Sequence, residues 1–359
     1  MTRLKALLPE RIRAAKAGVE AGDLGAALIT NPVSIKYLTD FNSSNAYVVL
    51  TPGESFLATD FRYIEAAEKN GAGLTPVLID RSFTVFDLMN REGIKKAAIE
   101  EDYITYSFFR EVSDKFNGEV VPAGSLIRDL RVIKDDYEKD CIRRAEEIGD
   151  EAFSHILGFI RPGVKETDIA LELEFFMRKQ GAEGLSFETI AVSGLKSSMP
   201  HGEPSDKKVE EGEVLTMDYG CRYRGYCSDM TRTVAVGGIS PEAEKIYNIV
   251  LEAQKTTVEA VSAGKPAVEI DRTARDIIKC HGYGECFGHG IGHGVGLEIH
   301  EAPTANPSSD EILQKGMTVT VEPGIYLPGK FGVRIEDLLL VEENGAEVLS
   351  HSDKNLIII

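Results

Sequence analysis

No stretch of this sequence approaches the roughly 18 consecutive apolar residues that a membrane-spanning helix needs, so no bilayer partner is expected. The opening residues, MTRLKALLPE, lack both a long apolar core and a small-residue cleavage site. They read as the start of an amphipathic helix and not as a secretory leader, which makes the cytoplasm the expected location. Cysteine is scarce: Cys141, Cys221, Cys227, Cys280 and Cys286 are too few and too irregular for a disulfide framework in a chain this long. Cys280 and Cys286 lie near a histidine-rich segment, but no C-x-x-C pair supports a zinc site, and reduced, partly buried thiols are expected. Residues 1–128 contain no G-x-G-x-x-G and no P-loop, which removes the usual sequence grounds for nucleotide binding. Basic residues are outnumbered 40 to 58, and the formal charge of −18 repels phosphate backbones and argues against a nucleic-acid partner.

What remains is an ordinary globular composition, 43% hydrophobic and 27% charged, in 359 residues, enough for two domains. Residues 1–128 alternate short β-rich runs (25–30, 46–50, 55–59, 74–79, 97–100 and 119–121) with helical patterns near 8–21, 60–70, 84–92 and 106–116. The TPGE stretch at 51–54 marks a hairpin turn. This alternation predicts an α/β domain with a mixed sheet flanked by helices. Around 127–137 the character changes, and a long charged helical stretch runs to about Leu157, bridging into a second domain at 129–359. That domain carries an internal echo: RPGVKETDI at 161–169 resembles SAGKPAVEI at 262–270. In both, a helix ends near a glycine and an acid-Ile pair opens another five residues later, which predicts pseudo-two-fold symmetry unless so short a match is chance.

Two acidic pairs carry the chemistry. Asp218 and Asp229 flank a ten-residue segment whose centre lies near Tyr223 and Arg224, with strand-like runs on either side. Folding about that centre brings the aspartates face to face. Glu322 and Glu336 repeat the arrangement, 14 residues apart, with Pro328-Gly329-Lys330 at the midpoint where a turn belongs. As solvent-facing strand residues the four would need no partner. Crowded into a β-rich core, they would repel one another unless cations neutralise them.

Histidines add to the same picture. The chain has seven, and His289, His293 and His300 fall within the glycine-spaced segment GHGIGHGVGLEIHE at 288–301. Those glycines remove side chains, so the backbone there can approach another element closely. His289 and His293 share strand parity and His300 has the opposite one, so a bend or bulge must intervene for His293 and His300 to meet. His201 sits in a Pro- and Gly-bounded loop at 192–204, a natural place for a catalytic side chain. His155, His281 and His351 have no such context and read as structural.

At this point the chain resembles the pita-bread metallopeptidases, and among them the Xaa-Pro group of prolidases (Xaa-Pro dipeptidases) and aminopeptidase P. The matching pieces are MDYG at 217–220, SDMTRT at 228–233, HGIGHGVGLEIHEAP at 289–303, VEPGIY at 321–326 and GVRIED at 332–337. NPVSIKYLTDF at 31–41 is similar to the creatinase-like N-terminal domain of these enzymes. The resemblance implies an α/β N-terminal domain followed by an α+β pita-bread catalytic domain. It also implies five metal ligands, Asp218, Asp229, His293, Glu322 and Glu336. Asp229 and Glu336 would bridge two divalent ions, Asp218 would cap one, and His293 and Glu322 would hold the other. A donor set rich in oxygen suits Mn²⁺, with Co²⁺, Fe²⁺ or Zn²⁺ as alternatives.

The implied activity is hydrolysis of an Xaa-Pro bond in a proline-containing peptide by a hydroxide shared between the two metals. The resemblance casts His300 as oxyanion stabiliser, Glu322 as proton shuttle, and His201 and His289 as substrate contacts. Arg334 would orient substrate or form a salt bridge within the acidic core. It further implies a homodimer. Thr304 departs from the basic or aromatic residue the family often has there, which favours aminopeptidase P or a looser preference over a strict dipeptidase. Two other readings stand beside this one: a catalytically inactive pita-bread binding module, and a creatinase-like hydrolase that works without metal.

Overall fold

The computed structural model of the protein describes residues 2–70 and 72–359. They form two compact units, Met1–Arg131 and Val132–Ile359. The first begins with α1 (Thr2–Ala21), followed by β1 (Ala26–Ile29), α2 (Pro32–Thr39), β2 (Ala46–Leu50) and β3 (Phe56–Thr59). Then come α3 (Ile64–Asn70), β4 (Thr75–Leu78), α4 (Val85–Arg91), β5 (Lys96–Ile99), α5 (Tyr106–Lys115) and β6 (Glu119–Pro122). The six strands form one mixed sheet, ordered β4-β3-β2-β1-β5-β6. β1, β2 and β3 pair antiparallel, and the other three pairings are parallel. β1, buried at all four positions, lies in the middle and reads as a short apolar run. The sequence pattern did not show α2: it starts at Pro32 behind an Asn31 cap, whose side chain accepts from the Val33 amide at 2.9 Å.

α6 (Arg128–Val132) joins the two parts, and α7 (Asp136–Ile156) opens the second unit with a capping box between Asp135 and Glu138. The charged stretch is therefore two helices and not one, because the chain turns at 133–135 to make this cap. α8 (Glu166–Lys179), β7 (Gly184–Leu185), β8 (Ile190–Ser193), β9 (Val214–Tyr219), β10 (Cys221–Tyr223), β11 (Tyr226–Cys227) and β12 (Met230–Ala235) complete a first half. The second half holds α9 (Pro241–Ala260), α10 (Ala267–Cys280), β13 (Gly292–Gly294), β14 (Glu301–Ala305), β15 (Thr318–Val321), β16 (Gly324–Leu327), β17 (Phe331–Arg334), β18 (Asp337–Glu342) and β19 (Gly345–Val348). Each half has its own apolar core, one under α7 and α8 and one under α9 and α10.

The halves repeat each other at the echoed segments. Gly163 and Gly264 both adopt positive φ, 91° and 83°, a conformation that suits glycine. Their amides donate to Val209 and Leu313 carbonyls, each at 2.8 Å, before helices of 14 residues. Among the described residues no helix is long and apolar enough to cross a membrane.

Candidate metal centre

The first hairpin turns at Arg224-Gly225, where both residues have positive φ (52° and 86°), as a tight two-residue turn requires. This centre lies one residue beyond the midpoint of the two aspartates. In consequence Asp218 faces Thr231, and Asp229, two residues before Thr231, is its diagonal neighbour on the same side of the ladder, not its direct partner. The second hairpin follows the spacing: β15 pairs with β18 and β16 with β17 in one continuous register, so positions 322 and 336 fall opposite each other. The two hairpins are stitched side by side. Glu336 N–H donates to Thr231 O at 3.1 Å, the Thr231 hydroxyl donates to Glu336 Oε2 at 2.7 Å, and the Thr233 hydroxyl donates to Arg334 O at 2.8 Å. That stitching brings all four carboxylates to one place.

His293 arrives from β13. The register of β13 on β14 shifts between His293 and Gly294, which is the irregularity that parity demanded. It sets the His293 and His300 rings edge to face, 4.3 Å apart. The glycines serve close approach: a Cβ on Gly292 would collide with the Thr320 carbonyl, and one on Gly294 with the Ala302 carbonyl. Ligand atoms of Asp229, His293 and Glu336 lie within 4.8 Å of one another. His293 Nε2 stands 3.5 Å from both Asp229 Oδ2 and Glu322 Oε1.

These atoms fit a cation between them. His293 Nδ1 lies 3.1 Å from the Gly294 carbonyl, which can only accept, so Nδ1 carries the proton and Nε2 of the neutral ring is a lone pair. Burial pushes the His293 imidazole down to about 4, which keeps it neutral. A lone pair therefore faces carboxylate oxygens, an arrangement that is repulsive unless a positive ion sits there. Asp218 Oδ1 is buried and has no hydrogen-bond partner among the described residues. Arg334 brings one positive charge against four carboxylates, through a 2.6 Å bond from Nη2 to Asp218 Oδ2. Burial first, then repulsion from Glu336, Asp218 and Glu322, drives the Asp229 carboxyl well above the usual range. Glu336 is raised likewise by burial and then Glu322, and burial lifts Glu322 to about 8.

The remaining sequence candidates surround this cluster. Arg334 also donates to Thr231 Oγ1 (3.1 Å), Tyr326 Oη (2.9 Å) and Pro200 O (3.2 Å), so it is committed to bracing the site and to holding the loop that carries His201. His289 has both ring nitrogens engaged, Nδ1 with Gly290 O at 2.8 Å and Nε2 with Tyr326 Oη at 3.0 Å, which leaves its carbon edge for any substrate contact. His201 and His300 are exposed, and His201 lies near enough to lower the basicity of both His289 and His300. Sequence reasoning passed over Tyr326, Thr231 and Glu146. Glu146 is wholly buried on α7, burial raises its carboxyl to about 8, and it accepts the Asp229 amide at 2.7 Å. The available signal was an acid on the apolar stripe of α7 formed by Ile142, Ala145, Gly149 and Phe153.

The sequence profile of metallopeptidase family M24 matches residues 140–343, and that of the creatinase/prolidase N-terminal domain matches residues 11–133. The chain belongs to metallopeptidase family M24. It is 37% identical to the Xaa-Pro dipeptidase of Pyrococcus horikoshii over 98% of this chain and 99% of that protein. The solved structure of the Xaa-Pro dipeptidase from Bacillus anthracis superposes with a TM-score of 0.95 at 44% identity, covering 98% of this chain and 100% of that one. That of the X-Pro aminopeptidase from Thermotoga maritima gives 0.88 at 36% identity, covering 96% and 100%. The pita-bread fold with its α/β N-terminal domain is thus shared with M24 peptidases. A family of metallopeptidases implies divalent cations, and the acidic cluster is where donors for them converge.

Proposed function

We propose that this M24 chain is a dinuclear-metal peptidase that cleaves the bond before proline, with catalysis in the domain beginning near residue 129. The observation that carries the reading is a cluster of buried Asp229 and Glu336 with half-buried Asp218, Glu322 and a neutral His293, in which Arg334 is bonded to Asp218. Asp218, Asp229, His293, Glu322 and Glu336 would hold the two ions. The oxygen-rich set favours Mn²⁺, and Co²⁺, Fe²⁺ and Zn²⁺ would also fit its chemistry. Bound there, the ions supply a nucleophile from water at neutral pH and polarise the scissile carbonyl.

The rest falls to side chains of the chain itself. Glu322, beside His293 and raised by burial, takes a proton from the attacking water and returns it to the leaving nitrogen. His300, exposed and packed edge-on against His293, donates to the carbonyl oxygen as charge develops. His201 contacts the peptide beside it, and His289 does so through its ring edge. Arg334 keeps Asp218 and the His201 loop in place. An amide before proline has no N–H and a rigid ring, which suits a site that activates water directly instead of gripping the peptide N–H.

Relatives named as dipeptidase and as aminopeptidase support the substrate class and divide on its length. Thr304, exposed and uncharged on β14, offers no positive charge to a dipeptide carboxylate, which favours the aminopeptidase P activity. The resemblance also carries a cytoplasmic homodimer. The deciding assay is hydrolysis of Ala-Pro beside Ala-Pro-Ala by metal-stripped protein given Mn²⁺, Co²⁺ or Zn²⁺. Cleavage of the tripeptide is expected. Cleavage of the dipeptide alone makes it a prolidase, and cleavage of neither with any ion overturns the Xaa-Pro assignment.

A further inference from the structure

Glu146 presents an unusual combination: a fully buried carboxylate whose bonded partners are neutral. Oε1 accepts the Asp229 backbone N–H at 2.7 Å, and Oε2 accepts the Ser350 hydroxyl at 2.9 Å. The charges that bear on it, Asp150 and Asp337, are themselves acidic. Packing alone would be served better by an apolar residue, since taking a carboxyl group out of water is costly. The geometry of the chain explains what the carboxylate does there. β11 ends at Cys227 and β12 begins at Met230, whose ladder partner is Tyr219. Asp229 lies in the gap between them, where its amide lacks a ladder acceptor, and an unsatisfied buried amide is unfavourable. Glu146 supplies the acceptor.

The second arm reaches the other hairpin. Ser350 Oγ, which donates to Glu146, also accepts Leu338 N–H at 2.9 Å, and Leu338 lies two residues beyond Glu336 on β18. One side chain on α7 thus ties the peptide leading into Asp229 to the strand that follows Glu336. We infer that Glu146 is a positioning residue that sets the spacing between Asp229 and Glu336, the two most buried carboxyls of the cluster, through these two hydrogen bonds. The inference rests on the metal-centre reading above. Outer-shell partners of this kind orient ligands, and their loss weakens metal binding by about 10- to 100-fold.

The test is a calorimetric titration of metal-stripped wild-type protein, E146D, E146Q and S350A with Mn²⁺, with the metal-free Tm of each measured alongside. E146Q keeps both bonds, its amide oxygen accepting from Asp229 N–H and its NH₂ donating to Ser350 Oγ, so it should bind within about threefold of wild type. E146D keeps the carboxyl group but is one methylene short, and it should bind about 10- to 100-fold more weakly. S350A removes only the far arm and should lose less affinity than E146D. Wild-type affinity in E146D overturns the inference, as does an affinity loss in E146D that S350A reproduces with an equal fall in metal-free Tm. If E146D fails to fold, E146Q decides: a loss of tenfold or more in that variant places the effect in the charge and not in the hydrogen bonds, and the inference falls. Wild-type protein that binds no Mn²⁺, Co²⁺ or Zn²⁺ at all refutes the metal centre itself, an outcome distinct from failure of the Glu146 role.

Discussion

Metal-free protein should lose thermal stability as pH rises from 6.5 to 8, and bound cations should remove most of that loss. In the folded chain Asp229 and Glu336 are held well above the carboxylate range and Glu322 near 8, whereas unfolded carboxyls titrate near 4. The folded state therefore keeps protons that the unfolded state has already released, and stability falls with pH wherever that holds. His289 and His293 act in the opposite sense, because burial lowers both to about 4 and so favours folding as pH rises toward their unfolded value near 6.5. From pH 6.5 upward the unfolded imidazoles lose their remaining charge, so their opposing contribution fades across the window and the carboxyls dominate. One retained proton costs about 1.4 kcal/mol for each pH unit, hence up to about 2 kcal/mol across this window for Glu322 alone. Glu146, also near 8, adds in the same direction. At about 2–4 °C per kcal/mol for a domain of this size, Glu322 alone should lower the metal-free Tm by about 4–8 °C, and the other raised carboxyls add to that fall. Scanning calorimetry at fixed ionic strength, with chelator and with saturating Mn²⁺, reads this directly. The metal-loaded curve should fall much less because cations replace the protons of the ligand carboxyls, leaving only Glu146, and Glu322→Gln should make the metal-free curve shallower without levelling it. A metal-free Tm that is level or rises between pH 6.5 and 8 refutes the crowded-carboxylate account.

Three further outcomes can be checked separately. Gly292→Ala places a methyl group against the Thr320 carbonyl, so β13 must shift and carry His293 with it; Mn²⁺ affinity by calorimetry should fall at least about tenfold. Arg334→Lys cannot reproduce a fork that reaches Asp218, Thr231, Tyr326 and Pro200 together, and kcat/KM on a proline-containing tripeptide should drop by about 10- to 100-fold. Lys134 and Glu301 form a buried pair at 2.6 Å, with Glu301 next to His300. Removing one partner in Lys134→Met should cost about 3–5 kcal/mol in urea unfolding, and adding Glu301→Gln should recover part of it.

Much of the local geometry of the acidic site was legible in the sequence. Pro328-Gly329-Lys330 marks the second turn, and with both strands running on evenly the spacing alone places positions 322 and 336 opposite each other. The opposite parity of His293 and His300 required a bulge, and one occurs between His293 and Gly294. The first hairpin was misjudged by one residue. Its turn needs two consecutive positive φ values, which Arg224-Gly225 meets and Tyr223-Arg224 does not. α2 escaped notice because its eight residues open with a proline and show too little periodicity to stand out.

By itself, then, the sequence determined the acidic and imidazole side chains and the local geometry that presents them, because turns, strand parity and glycine freedom act over a few residues. Only tertiary structure decided which groups meet. Thr231 and Glu336 are 105 positions apart, and Glu146 and Asp229 are 83 apart. No short-range rule links them: their contact depends on two hairpins and a helix packing into one acidic core. That packing also sets the protonation of the carboxylates, since burial and mutual repulsion are properties of the assembled site and not of any one segment.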